Sequence, residues 1–254
     1  MNTFLDTDKK ATIWNLLEQY SFNKKLGTHS LENALHLASG KLPLVILMQE
    51  PCNIADVVPY EMMLKSAGGK GKQNKLKAGS PALQEVADMI DVVSHGKLVL
   101  QDVSLLDVNM LCPSFLQESS DFTDHDLKEA QELCLQIIRL IEPEVVLILT
   151  CVARQSVVKG IRLFSSSLKE AGTTARKSIG KGGACHSFTV IKGFHPSIFL
   201  RQDYIDQRCW GDEKIRCAKR MLHICFRKAI LELNDEEDCS QDANFERAWR
   251  RQWN

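Results

Sequence analysis

Leu42-Pro43-Leu44-Val45-Ile46-Leu47-Met48 is an unbroken apolar run of strand length, stopped at once by Gln49-Glu50-Pro51. Alternation of apolar and polar residues would mark a strand with one wet face. A continuous run suits a strand buried on both faces of a parallel sheet. Three further segments read as strands: 98–108 (LVLQDVSLLDV), 145–152 (VVLILTCV) and 186–194 (HSFTVIKGF). Helical stretches separate them, notably 80–93 and 125–142. In the second, Leu127, Ala130, Leu133, Cys134, Ile137, Ile138 and Ile141 keep helical spacing, and Pro143 stops the run. A long helix over roughly 212–234 follows the last strand. Strands alternating with helices predict an α/β protein, a three-layer α/β/α sandwich around a mainly parallel central four-stranded sheet.

Working outward, residues 1–40 read as helical. Ile13, Leu16, Leu17 and Tyr20 share one face, and Ser30 is an expected N-cap for the stretch after it. Residues 1–234 are expected to form one domain. Residues 235–254 then make an acidic linker and a Trp/Arg-rich tail, either a docking peptide for a protein partner or a helix packed back on the domain. Two basic, glycine-containing segments, 65–79 and 173–186, read as surface loops. Neither completes a phosphate-cradling loop, so nucleotide hydrolysis is disfavoured.

Composition narrows the class further. The chain has 254 residues, 44% of them hydrophobic and 25% charged, which suits a globular protein with a sizeable core. No apolar run approaches the roughly 20 residues of a membrane helix, so no membrane partner is expected. The nine cysteines are scattered without a CxxC pair, which argues against a zinc ribbon and for a reducing compartment, nucleus or cytoplasm. Lys+Arg and Asp+Glu both number 32, yet the neutrality is a sum of opposed blocks. Residues 80–144 carry 3 basic and 13 acidic side chains, whereas 65–79 carry 5 and 0, and 145–228 carry 16 and 5. The basic blocks favour a nucleic-acid partner.

In an open parallel sheet, ligands bind beyond the carboxyl ends of the strands. The first strand delivers Gln49-Glu50-Pro51-Cys52-Asn53 to that edge, and the second Asp107 and Asn109 ahead of Cys112-Pro113. The third delivers Thr150-Cys151 and then Ala153-Arg154-Gln155, and the fourth His195-Pro196-Ser197. A carboxylate, amides and a histidine are thereby expected on one rim.

These residues resemble the uracil-DNA glycosylase superfamily. Gln49-Glu50-Pro51 resembles its water-activating Gln-Asp-Pro motif, and His195-Pro196-Ser197 its His-Pro-Ser motif. Asp107, with Pro113 six residues on, is similar to the strand that carries the family's base-reading asparagine. Residues 132–157 resemble the helix–Pro–strand segment between the motifs, so the likeness spans roughly 42–205 in the family's order. It implies a DNA glycosylase that extrudes a damaged or deaminated base and hydrolyses its N-glycosidic bond, with no cofactor or metal. Glu50 would orient the water and stabilise the sugar cation, and His195 would stabilise the departing base. Gln49, Cys52, Asp107 and Asn109 would line the base pocket. Phe199 or Leu200 would be the inserted wedge, with Ser197, Arg201 and Lys70, Lys72 and Lys75 of the basic loop against the DNA.

Three positions depart from the family pattern. Glu50 stands for the usual Asp and Cys52 for a tyrosine that excludes thymine. Asp107 stands for the asparagine, and an ionised carboxylate only accepts hydrogen bonds. Asn109, two residues on and on the same strand face, is the substitute amide. Two other classes stay open: an inactive nucleic-acid-binding module on the same fold, and a cysteine hydrolase using Cys151 with His195.

Overall fold

Five strands form a single sheet in the computed structural model, which describes residues 7–21, 28–49, 80–112, 122–150, 158–181, 184–200, 205, 211–234 and 242–253. The strands are β1 (Leu44–Met48), β2 (Ser104–Asp107), β3 (Val145–Ile148), β4 (Thr174–Lys181) and β5 (Ala184–Lys192). Their order is β2-β1-β3-β5-β4. The first four in that order are parallel, with Val45 opposite Ser104, Leu44 opposite Val145 and Val145 opposite Thr189. Only the β4–β5 pair is antiparallel.

Seven helices occur among the described residues: α1 (Thr7–Ser21), α2 (Thr28–Ala38), α3 (Pro81–Val93), α4 (Asp124–Ile141), α5 (Ser197–Leu200), α6 (Asp212–Leu233) and α7 (Ala243–Gln252). β1 is buried at every residue, as its continuous apolar run requires. Leu44, Ile46 and Met48 join a hydrophobic cluster with α3, α6 and α7, whereas Val45 and Leu47 join a second cluster with α1, α2 and α4. Period-two side chains on one strand thus feed two cores.

The local signals act as expected at α3 and α4. Ser80 accepts from the Leu83 N–H at 3.3 Å with Pro81 following it. Thr123 and Asp126 form a reciprocal capping box, and Glu142 ends α4 in a left-handed conformation before Pro143. All seven apolar residues named for this helix are buried. Ser30, by contrast, is not an N-cap: α2 already begins at Thr28, and Ser30 is buried inside it.

The sheet has five strands rather than four. The segment 173–186, expected as a basic loop, instead contains β4 and the start of β5. Along β4, Thr174, Arg176, Ser178 and Gly180 are exposed while Ile179 is buried, a period of two that its lysines and arginine obscure in the sequence. Charged residues on an outer strand keep its unpaired edge from joining another chain. Of the tail, residues 243–252 form the helix packed back on the domain, one of the two alternatives for this segment. Trp249 of α7 is 2% exposed, stacks on Phe194 with 5.7 Å between ring centroids, and donates from Nε1 to Leu168 O at 2.7 Å. Lys228–Glu246 at 2.7 Å and the Arg227–Asp242 pair fasten α7 to α6.

Candidate functional site

The strand order reverses at β1: the chain leaves it to one side for β2 and returns to the other side for β3. That reversal falls at the carboxyl ends of β1 and β3, the place where doubly wound sheets bind ligands. The strand ends there are tied backbone to backbone. Val108 N–H donates to Met48 O, Asn109 N–H to Gln49 O, Leu149 N–H to Leu47 O and Gly193 N–H to Ile148 O, each at 2.8 Å. Gly193 is required by this close approach, since a Cβ there would lie 2.8 Å from Leu149 Cδ2 and 3.2 Å from Ile148 O. Ser166 adds a clamp, its N–H on Thr150 O at 3.1 Å and its Oγ donating to Gly193 O at 2.6 Å.

His195 follows directly. Its Nδ1 accepts from the Ser197 backbone N–H at 3.1 Å and lies 2.8 Å from Ser197 Oγ. A backbone N–H only donates, so Nδ1 is the bare nitrogen and the proton of the neutral ring sits on Nε2. The motif therefore builds a fixed Nε2–H donor, and Ser197 acts by orienting it. Phe199 does not stand out as a wedge: it is 4% exposed in the hydrophobic core, with Lys219 Nζ 5.3 Å from its ring centroid. Its neighbour Leu200 is only partly buried, so of the two it is the rim residue.

On the other side of β1, Asp107 is half-buried at the end of β2 and Asn109 fully buried just beyond it. Burial and, next, the charge of Asp107 push the Cys134 thiol on α4 well above its ordinary value. Asn109 Oδ1 accepts from Gln131 Nε2 of α4 at 3.3 Å, and Gln131 Oε1 accepts from Val158 N–H at 3.2 Å. Asn109 Nδ2 and Thr150 Oγ1 are both buried without a hydrogen-bond partner among the described residues. Buried polar atoms are normally paired, so unpaired ones at the two strand ends flanking β1 single out this edge as the candidate site.

The structure thus gathers Gln49, Asp107, Asn109, Thr150, His195 and Ser197 on the carboxyl edge of the sheet. Glu50, Cys52, Lys70, Lys72, Lys75 and Arg201 lie outside the described residues, as do Cys151, Arg154 and Gln155. Gln131 is the member that sequence reading missed. Its signal was a polar residue at an apolar position, three and four residues from buried Cys134 and Leu127.

A cavity of about 550 Å³ opens at the opposite edge, where Leu42, Pro43, His95, Arg227 and Leu233 are among its lining residues. It lies before the strands begin, and no carboxylate lines it. Among the described residues no group of His, Cys, Asp and Glu side chains is arranged to hold a metal ion, and no helix is long and apolar enough to cross a membrane. Compared with known proteins, the chain matches no family model and no curated sequence.

Proposed function

We propose that this protein is a divergent DNA glycosylase of the uracil-DNA glycosylase type. It flips a deaminated or otherwise damaged base from DNA and hydrolyses its N-glycosidic bond in base-excision repair, in a reducing compartment, nucleus or cytoplasm. The observation that carries the reading is His195. Its Nδ1 accepts from the Ser197 backbone N–H, which leaves Nε2 as the donor side of the ring, on the same sheet edge as a buried amide and a half-buried carboxylate.

The chemistry follows from charge. Breaking the N-glycosidic bond leaves negative charge on the base and positive charge on the sugar. A pre-oriented N–H donor stabilises the first without waiting for solvent to reorganise. Glu50, directly after Gln49, is the residue we assign to the second, orienting a water toward the sugar. The lysines of 65–79 and Arg201 are assigned to the phosphates, with Leu200 rather than Phe199 at the unstacked step. The finer architecture, a three-layer α/β/α sandwich, belongs to the same proposal, and the two hydrophobic clusters fed by alternate residues of β1 support it.

The test is a panel of oligonucleotides, single- and double-stranded, each with one uracil, hypoxanthine or xanthine. Abasic product from at least one supports the reading. Binding without product from any would reject catalysis and favour the second reading, a non-catalytic binding module. The observation favouring that alternative is Asp107, an acceptor-only side chain where the family has an amide.

A further inference from the structure

We propose that Gln131 is a positioning residue, which fixes the amide of Asn109 as a hydrogen-bond donor to a carbonyl oxygen of the bound base. The inference rests on reading the sheet edge as a base pocket, and it concerns which edge of a base that pocket accepts.

The polarity runs in one direction from a backbone group. Val158 N–H can only donate, and it meets Gln131 Oε1 at 3.2 Å. The Gln131 amide is therefore turned with Nε2 toward Asn109, where it donates to Oδ1 at 3.3 Å. That contact turns the Asn109 amide in its turn, leaving Nδ2 on the far side. Gln131 and Asn109 are both fully buried, so water does not compete for the bond between them. Nδ2 has no partner among the described residues, and a buried donor left unpaired is unfavourable until an acceptor arrives. The three residues come from separate places in the chain: Asn109 follows β2, Gln131 lies on α4 and Val158 follows β3. The donor's direction is thus a property of the fold.

A ligand meeting Nδ2 must present an acceptor. Uracil has a carbonyl at position 4 where cytosine has an amine, and an amine facing Nδ2 would set donor against donor. The preferred class is therefore a base that presents a carbonyl rather than an amine at that position. A site built around a polar group discriminates strongly against a partner that leaves the group unpaired.

The experiment measures equilibrium binding of the full chain to oligonucleotides carrying one 2′-fluoro-deoxyuridine or one 2′-fluoro-deoxycytidine, in which the fluorine resists bond cleavage. Wild type is expected to prefer the uracil probe by about tenfold or more. Gln131→Met removes the relay at similar volume, frees the Asn109 amide to turn over, and should cut the preference to about threefold or less. Ile141→Ala, a buried site at the far end of the same helix, should destabilise the fold and leave the preference intact. Equal binding of both probes by wild type overturns the proposal. So does an unchanged preference in Gln131→Met, or an equal loss in Ile141→Ala. If Gln131→Met does not fold, Gln131→Glu is read at pH 8 in its place. Its carboxylate accepts from both Val158 N–H and Asn109 Nδ2, turning Oδ1 outward, so the uracil preference should vanish or invert; a retained preference overturns the proposal. Absence of cleavage of unmodified uracil, with the probe preference intact, defeats the glycosylase reading alone. Binding of neither probe defeats the base pocket itself.

Discussion

The amino and carboxyl edges of the sheet are made by the same strands and are finished in opposite ways. At the amino edge the polar groups close on one another. Asp102 O accepts from both Lys41 and Leu42 N–H at 2.9 Å, and Pro43 O accepts from Glu144 and Val145 at 2.9 and 3.1 Å. Ser104 Oγ donates to Ala38 O at 2.9 Å and accepts from Gly40 N–H at 3.2 Å. At the carboxyl edge the backbone is paired just as tightly, but Asn109 and Thr150 keep buried polar atoms open, and His195 is held as a donor by its neighbours. At the amino edge the turn and strand-entry groups are satisfied within the chain; at the carboxyl edge two buried side-chain atoms that directly follow β2 and β3 are not, at a cost in stability.

Substitutions can break this contrast, beginning with the largest effect. His195→Ala should lower base-excision kcat by about 10²–10⁴-fold while the urea midpoint stays close to wild type, and Glu50→Gln should act similarly. Unchanged single-turnover rates in both variants would remove the catalytic edge from the comparison. Trp249→Ala should cost about 3–5 kcal/mol in urea denaturation, because it deletes a buried ring and leaves Leu168 O without its donor. Since Phe194 adjoins His195, kcat should fall as well. Ser104→Ala, at the amino edge, should cost about 1–3 kcal/mol by unpairing Gly40 N–H, yet leave kcat unchanged. A catalytic loss there would mean that the two edges are coupled.

The smallest effect concerns acid. Burial alone would raise the Asp102 carboxyl, but Lys41 Nζ at 2.8 Å and the Val99 N–H outweigh it and hold the group below its ordinary value. Because the folded carboxyl titrates below the unfolded one, its contribution is present at neutral pH and fades as pH falls below about 4. Asp102→Asn should therefore lower stability by less than about 1 kcal/mol at pH 7, the Lys41 end being exposed. The gap to wild type should narrow steadily as pH falls below about 4. Urea midpoints measured across that range would reveal a gap that persists, and so a packing origin.

Much of this contrast was legible in the residues. The 42–48 run contains β1, and 145–152 and 186–194 overlap β3 and β5. The 98–108 run yields a shorter strand, because Asp102 accepts the Val99 N–H and winds Leu100–Asp102 into a 3-10 turn before β2 begins. β4 was missed because Arg176, Lys177 and Lys181 interrupt its apolar alternation, and the choice between Phe199 and Leu200 was left open because motif position does not report burial.

The sequence by itself determined the buried parallel strands and the long helices between them, through apolar periodicity and end signals that act over a few residues, but not the outer strand β4. It also determined that polar groups follow each parallel strand. Only the tertiary structure decided which polar atoms are paired. Asn109, Gln131 and Val158 lie 22 and 27 residues apart, and their polarity is inherited through space from a single backbone N–H. Hydrogen-bond direction inside a core depends on which donors the fold brings together, and local sequence does not contain that information.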